Sequence, residues 1–453
     1  MRAYLASSIA VTCAAALALP LSLATPAASH KPAAYPARPD VEVAGSTQSL
    51  PLAPLRDDRR AIGSPGTAGA AQGLTRRDVR PFSLVGVVWD DAHAHLHGTV
   101  QVRTRATGSG EWSAWQELET HNDEHGADPG TAEAAAAAVR GSTAPLWVGD
   151  SDGVEIRVRP VDGSGADRGP TEPLPTGLRL ELVDPGEERA PEGAPDRSGA
   201  LDDKAPMTRA THTTRTTHRG PTVEEAAAFS VNAQLAPVGT AVIPAAAAAK
   251  PYIGPRPKII TRKGWGANEK LRERGFVYTK SVKAAFVHHS ATGNNYTCKQ
   301  APSVLRSIYR YHTQSSGWRD FGYNFAVDKC GNIYEGRAGG VGKPVLGAHT
   351  LGFNTNSMGI AVLGTFSSST PPAAVTTAIA RLTAWKLGLH GGNPKGKATL
   401  TSGGGNRYKK GTKVKFNTIA GHRDGYATAC PGARLYGKLG TARTASAKYQ
   451  GRP

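Results

Sequence analysis

From residue 185 to about residue 255 the chain runs through Pro, Glu, Thr and Ala, with THTTRTTH and AAAAAK tracts and no apolar periodicity. A stretch of this kind cannot bury enough apolar surface to offset the entropy of ordering it, so it reads as an interdomain linker. It constrains the fold more than any single motif does, because the 453 residues must then form separate folded units on either side. The two sides also differ in charge. Residues 256–453 hold 31 Lys and Arg against 6 Asp and Glu, whereas the remainder holds 23 against 30, so the net +18 belongs to the C-terminal part alone. Such a field concentrates polyanions. For an exported chain the accessible classes are anionic cell-wall polymers and lipid headgroups. Nucleic acid is not expected as a partner, since no zinc-finger spacing, helix-turn-helix or aromatic-rich RNA motif is present.

Export is expected from the first residues. Residues 1–28 carry one Arg, an apolar run and small residues around Ala24 to Ala28, the pattern of a cleaved signal peptide. No other segment approaches about 18 uninterrupted apolar residues, so stable membrane insertion is not expected and the mature chain reads as secreted, extracellular or cell-wall associated. Residues 29–79, rich in Ala, Pro, Gly and Arg without period, read as a disordered segment.

Between residues 80 and 184 the pattern changes to short β-branched or alternating runs: FSLVGVVW, GTVQVRTRA, WSAWQELE, VEIRVRPV and GLRLELV, divided by Gly, Asp and Pro. These predict an all-β, sandwich-like domain of unknown role. Its insert HGADPGTAEAAAAAV is expected to form a helical turn or more. On a strand His93, His95 and His97 would share one face, and Trp112 and Trp115 are candidates for sugar stacking or core packing; neither group specifies a ligand.

Residues 256–440 form the second unit, followed by a tail over 441–453. An apolar strand ends at His288 in AAFVHHSAT. A helix follows over APSVLRSIYRYHT, then a strand pair across the KCGN turn, a strand in SMGIAVLGTF, and a helix over 371–391. Strands interleaved with helices predict an α/β (α+β) domain with a mixed central sheet flanked by helices. The stretch 393–417, with seven Lys or Arg and no acid, reads as a basic hairpin.

Three side chains carry the chemistry. His288 closes the apolar strand, while His422 and Cys430 lie in GHRDGYATACPG. Two imidazoles and one thiolate suit zinc, and three protein ligands leave a fourth position for water, the arrangement of a catalytic site. Adjacent strand residues point to opposite faces, so only one of His288 and His289 can enter the site. If Cys430 binds metal and Cys13 leaves with the signal peptide, Cys298 and Cys330 remain to close a disulfide.

FVHHSAT, FGYNFAVDKCGNIYEGR, GAHTLGFNTNSMGIAVLGTF and AGHRDGYATACPG occur in that order. The stretch from near Pro257 to near Gly440 resembles the zinc N-acetylmuramoyl-L-alanine amidases of the peptidoglycan recognition protein and phage-type amidase family. That resemblance implies an exported peptidoglycan hydrolase, with Zn2+ held by His288, His422 and Cys430, cutting between N-acetylmuramic acid and L-alanine by a zinc-activated water. Family members that bind peptidoglycan without cutting it typically lack the cysteine; a non-hydrolytic recognition module is the alternative. The resemblance assigns Tyr323 to the developing oxyanion. It places Thr428 where phage relatives carry Lys, which leaves its part in proton transfer open. His349, Asn354 and Asn356 are candidate substrate contacts, and Arg337 either faces the stem peptide or pairs with Glu335.

Overall fold

The computed structural model describes residues 45–55, 71–120, 122, 124–160, 173–186 and 252–453. The expected signal peptide and the linker between residues 187 and 251 lie outside the described residues, as do 29–44 and 56–70 of the expected disordered segment.

The N-terminal unit is built from β1 (Ser46–Pro51), β2 (Ala53–Pro54), β3 (Gln72–Trp89), β4 (Gly98–Ala106), β5 (Gln116–Leu118), β6 (Gly141–Ser142), β7 (Leu146–Pro160) and β8 (Arg179–Asp184). All pairings are antiparallel, in the order β1-β8-β3-β7-β4-β5, with β2 and β6 also on β3. Against β7, β3 shifts register three times between Leu74 and Leu84. Bulges bend a strand, and here they let one long strand serve two layers. Val100 and Val102 of β4 consequently share a core with Leu180 and Leu182 of β8, although the two strands never pair. The all-β, sandwich-like expectation is met.

Two details differ from the sequence reading. β1, β2 and the start of β3 fall inside the 29–79 segment expected to be disordered. The strand β1 is short and half-exposed, and its partner β8 lies far along the chain, so it has no local apolar signature. The Ala-rich insert forms turns and no helix, because its Asp128 and Glu133 are bonded to Asn354 and Arg337 of the other unit. His93, His95 and His97 sit exposed in the loop between β3 and β4.

The second unit centres on a six-stranded mixed sheet in the order β16-β10-β13-β11-β12-β9. These are β9 (Ile259–Ile260), β10 (Ala284–His289), β11 (Phe325–Val327), β12 (Ile333–Glu335), β13 (Ser357–Val362) and β16 (Ile419–Gly421); β14 (Lys397–Thr401) and β15 (Lys413–Asn417) form the basic hairpin apart from it. β10 lies parallel to both β13 and β16, and every residue of β10 and β13 is buried. That is the pattern of strands covered on two faces. On one face α2 (Ala373–Gly388) and α4 (Leu439–Tyr449) close a core containing Val287, Ile360, Val362, Ile379 and Leu382. On the other lies α1 (Ala301–Arg310), continued by a π turn over Tyr311–Ser315.

Helix α1 is where the two units join. Val304, Leu305 and Ile308 form one buried cluster with Leu84, Val88, Trp147 and Val183 of the β domain, so the units share a core. Tyr311 crosses the junction, its hydroxyl 3.1 Å from the carbonyl oxygen of Thr143 and 3.2 Å from that of Val87. A Cβ at Gly86 would stand 2.4 Å from the Tyr311 ring, which explains glycine there in an otherwise β-branched run. Cys298 and Cys330 are joined by a disulfide that ties the start of α1 to the β11–β12 turn.

Candidate metal centre

Strand alternation decides between the paired histidines. His288 points into a buried cluster, while the His289 Nδ1 accepts a hydrogen bond from the Phe366 N–H on the other side. β16 runs directly into the short helix α3 (His422–Gly425), which delivers His422 beside His288 with ring centroids 4.4 Å apart. Asp424 braces that turn, accepting from the Gly421 N–H at 2.9 Å and from the Tyr436 hydroxyl at 2.7 Å. The next loop brings Cys430 back: its carbonyl accepts from the Arg423 N–H and its own N–H donates to Thr428 Oγ1. Gly432, at φ +85°, passes so close to Phe366 that a Cβ would sit 2.3 Å from its backbone.

A fourth donor comes from the β domain. The donor atoms of His125, His288, His422 and Cys430 all lie within 4.8 Å of one another, and all four residues are buried. Cys430 Sγ is 3.9 Å from His125 Nε2 and 3.8 Å from His288 Nδ1, and the His125 ring stands 4.6 Å from that of His422.

These residues fit zinc. Neither ring nitrogen of His422 makes a hydrogen bond of good geometry, the Glu124 backbone serving it only weakly, and His125 Nδ1 has no partner, though all are buried; poorly paired buried polar atoms are costly. Burial keeps the imidazoles in the neutral, ligating form: it holds His125 at about 3 and His288 and His422 well below the ordinary 6.5. It also pushes the Cys430 thiol up, so only a nearby cation would favour the thiolate. Behind the cluster, Thr350 Oγ1 lies 3.4 Å from His288 Nε2 and 3.0 Å from His349 Nδ1, an outer contact of the kind that fixes a ligating ring.

The other sequence candidates divide. Tyr323 is buried with its ring 5.2 Å from that of His288, and burial together with the neighbouring Cys430 and Glu124 holds its phenol well above 10. Thr428 adjoins Cys430 and donates to Glu124 Oε1 at 2.7 Å. Asn354 is buried, its amide donating to Gly126 O and Asp128 Oδ1. Arg337 does not pair with Glu335; both of its terminal nitrogens donate to Glu133, at 2.7 and 2.8 Å. His349 is fully buried against Phe286 and His288. Asn356, at φ +60°, bonds Ser281 and Lys283 before β13, and no bond joins it to the cluster. Sequence reasoning missed His125 altogether. Beside the cluster is a cavity of about 10 Å³ lined by Glu124, His125, Tyr323, Thr428 and Cys430; a larger one of about 250 Å³ opens behind the insert, between Trp89, His95, Trp318 and Tyr426.

Comparison with known proteins gives two family matches. Residues 32–178 match a family described as Rv3811 N-terminal galactose-binding domain-like, and residues 278–433 match N-acetylmuramoyl-L-alanine amidase. Peptidoglycan-recognition protein SC2 of Drosophila melanogaster is 31% identical over 185 residues, 40% of this chain and 85% of the relative. A human N-acetylmuramoyl-L-alanine amidase is 29% identical over 201 residues, 44% of this chain but 30% of its own length. Among solved structures, peptidoglycan recognition protein-LE in complex with tracheal cytotoxin is 29% identical, covering 40% of this chain and 92% of that one, with a TM-score of 0.32.

Proposed function

We propose that this chain, which belongs to the peptidoglycan recognition protein and N-acetylmuramoyl-L-alanine amidase family, is an exported zinc-dependent hydrolase. Its substrate is peptidoglycan, and the bond it cuts is the amide between N-acetylmuramic acid and the L-alanine of the stem peptide. The observation that supports catalysis over recognition is the meeting of the donor atoms of His288, His422 and Cys430 in one buried cluster, with both imidazoles held neutral by burial. Zinc held there would act as a Lewis acid on the scissile carbonyl and lower the pKa of a water at the open position.

The remaining chemistry belongs to the chain's own side chains. Tyr323, held in its neutral form, is a hydrogen-bond donor at the metal cluster, where negative charge develops on the carbonyl oxygen. Thr428 has no titrating group near neutrality and so orients rather than accepts; its hydroxyl already spans the Cys430 N–H and a carboxylate. Arg337 offers a guanidinium fork matched to a carboxylate, the group that peptide stems carry. The export reading rests on residues 1–28 and accords with the disulfide. No helix among the described residues is long and apolar enough to cross a membrane.

The test is mass analysis of soluble products after incubating peptidoglycan with the zinc-loaded full chain, and separately with its His125→Ala form, which lacks the fourth donor. Stem peptides beginning at L-alanine, lost on chelation and restored by zinc, are expected. Binding to peptidoglycan with no release by either form would overturn the hydrolase reading in favour of a recognition module.

A further inference from the structure

We propose that residues 124–140 of the β domain are a built-in occupant of the catalytic site, with His125 as the fourth donor to the metal and the flanking carboxylates seated where substrate binds. The proposal rests on the hydrolase reading above. Three protein donors leave a place for water, whereas four close the coordination sphere. His125 supplies that fourth donor from another domain, and nothing within the β domain accounts for burying an imidazole whose Nδ1 has no partner.

The segment is fastened at successive points, each to the catalytic domain. Glu124 accepts from Thr428 Oγ1 at 2.7 Å through its carboxylate and from the Leu351 N–H at 3.0 Å through its carbonyl. The Gly126 carbonyl accepts from Asn354 at 2.8 Å; Asp128 accepts from Asn354 at 2.7 Å and from the Gly352 N–H at 2.8 Å. Glu133 forms a bidentate ion pair with Arg337, and Arg140 donates its N–H to the Ser316 carbonyl. Asn354 and Arg337 are sequence candidates for substrate contact, and Thr428 is the residue that the family resemblance places beside the reaction. Three carboxylates of the more acidic half of the chain thus occupy polar groups of the strongly basic half. Little space is left beside the cluster, a cavity of about 10 Å³ lined by Glu124 and His125 of the segment itself. A glycopeptide needs the segment to leave. The shared core at α1 involves other residues, so the segment can depart while the domains stay joined.

The test uses the full chain loaded with Co2+, whose visible absorption reports coordination number and thiolate ligation. The wild type is expected to show a four-coordinate spectrum that added azide does not alter. His125→Ala is expected to respond to azide and to regain the wild-type spectrum with added imidazole. A second variant, Glu133→Gln, keeps all four donors; amide hydrogens of residues 124–140 should exchange at least about tenfold faster, and stem-peptide release should rise by a similar factor. A His125→Ala spectrum and azide response identical to wild type, or unchanged exchange in Glu133→Gln, would overturn the proposal. Variants that open the site by these spectra yet release no peptide would uphold it and sink the hydrolase reading instead. Equal release by all forms with unchanged spectra would do the reverse.

Discussion

Glu133 and Arg337, 204 residues apart in the chain, meet in a two-pronged ion pair with both side chains almost wholly shielded from water. Removing one partner of such a pair strands the other charge, at a cost of about 3 to 5 kcal/mol, whereas removing both is far milder. Glu133→Ala and Arg337→Ala should therefore be non-additive by about 1 to 3 kcal/mol in a double-mutant cycle read by denaturant unfolding. Additive effects would mean that the pair is not formed in solution.

Cys430→Ser replaces the one soft donor of the cluster by a hydroxyl. Zinc affinity, measured by competition with a chromophoric chelator, should fall more than about a hundredfold, since even outer-contact changes cost 10- to 100-fold. Retained stoichiometric zinc at wild-type affinity would exclude Cys430 as a ligand.

Tyr323→Phe keeps the ring packed against His288 and deletes only the donor hydroxyl. Turnover should drop by about 10²- to 10³-fold with KM and zinc content little changed, as for loss of an oxyanion donor. A change confined to KM would assign Tyr323 to ground-state binding.

Cys298 and Cys330 are 32 residues apart in sequence. Replacing both by Ala should lower the unfolding free energy by about 3 to 4 kcal/mol on the chain-entropy account, with zinc stoichiometry intact. The comparison is made by urea titration of the two full chains.

Lys386 is buried with its ammonium donating to the carbonyls of Val341 and Lys343, at 2.7 and 2.6 Å, and burial lowers it to about 8. The unfolded chain binds that proton up to about pH 10.4, so between pH 8 and 10 unfolding takes up a proton and stability rises with pH. Lys386→Met should abolish this rise, on the order of 3 kcal/mol across the window. Parallel pH profiles for the two proteins would show that Lys386 titrates normally.

Most of the catalytic half could be read from sequence because its signals are local. The apolar run ending at His288 needs only strand alternation to choose between two histidines, and the basic hairpin declares itself by charge and turn residues. β1 left no such trace, being a half-exposed edge strand whose partner is remote. His125 was illegible for a stronger reason. It sits among Asn, Glu and Gly in what reads as a surface insert, and its meaning depends on how two domains dock. The same docking overrode the Ala-rich helical propensity of the insert, whose Glu133 and Asp128 are tied across the junction.

The apolar seam joining α1 to Leu84, Val88 and Val183 has a consequence for any protease that meets this protein. A cut anywhere between the two domains would give a nicked molecule whose halves still adhere, because the surface exposed by parting them is core and not linker. Severing the tether would therefore not liberate the catalytic half. Cleavage within residues 124–140 would act quite differently, removing the obstruction while leaving the assembly whole.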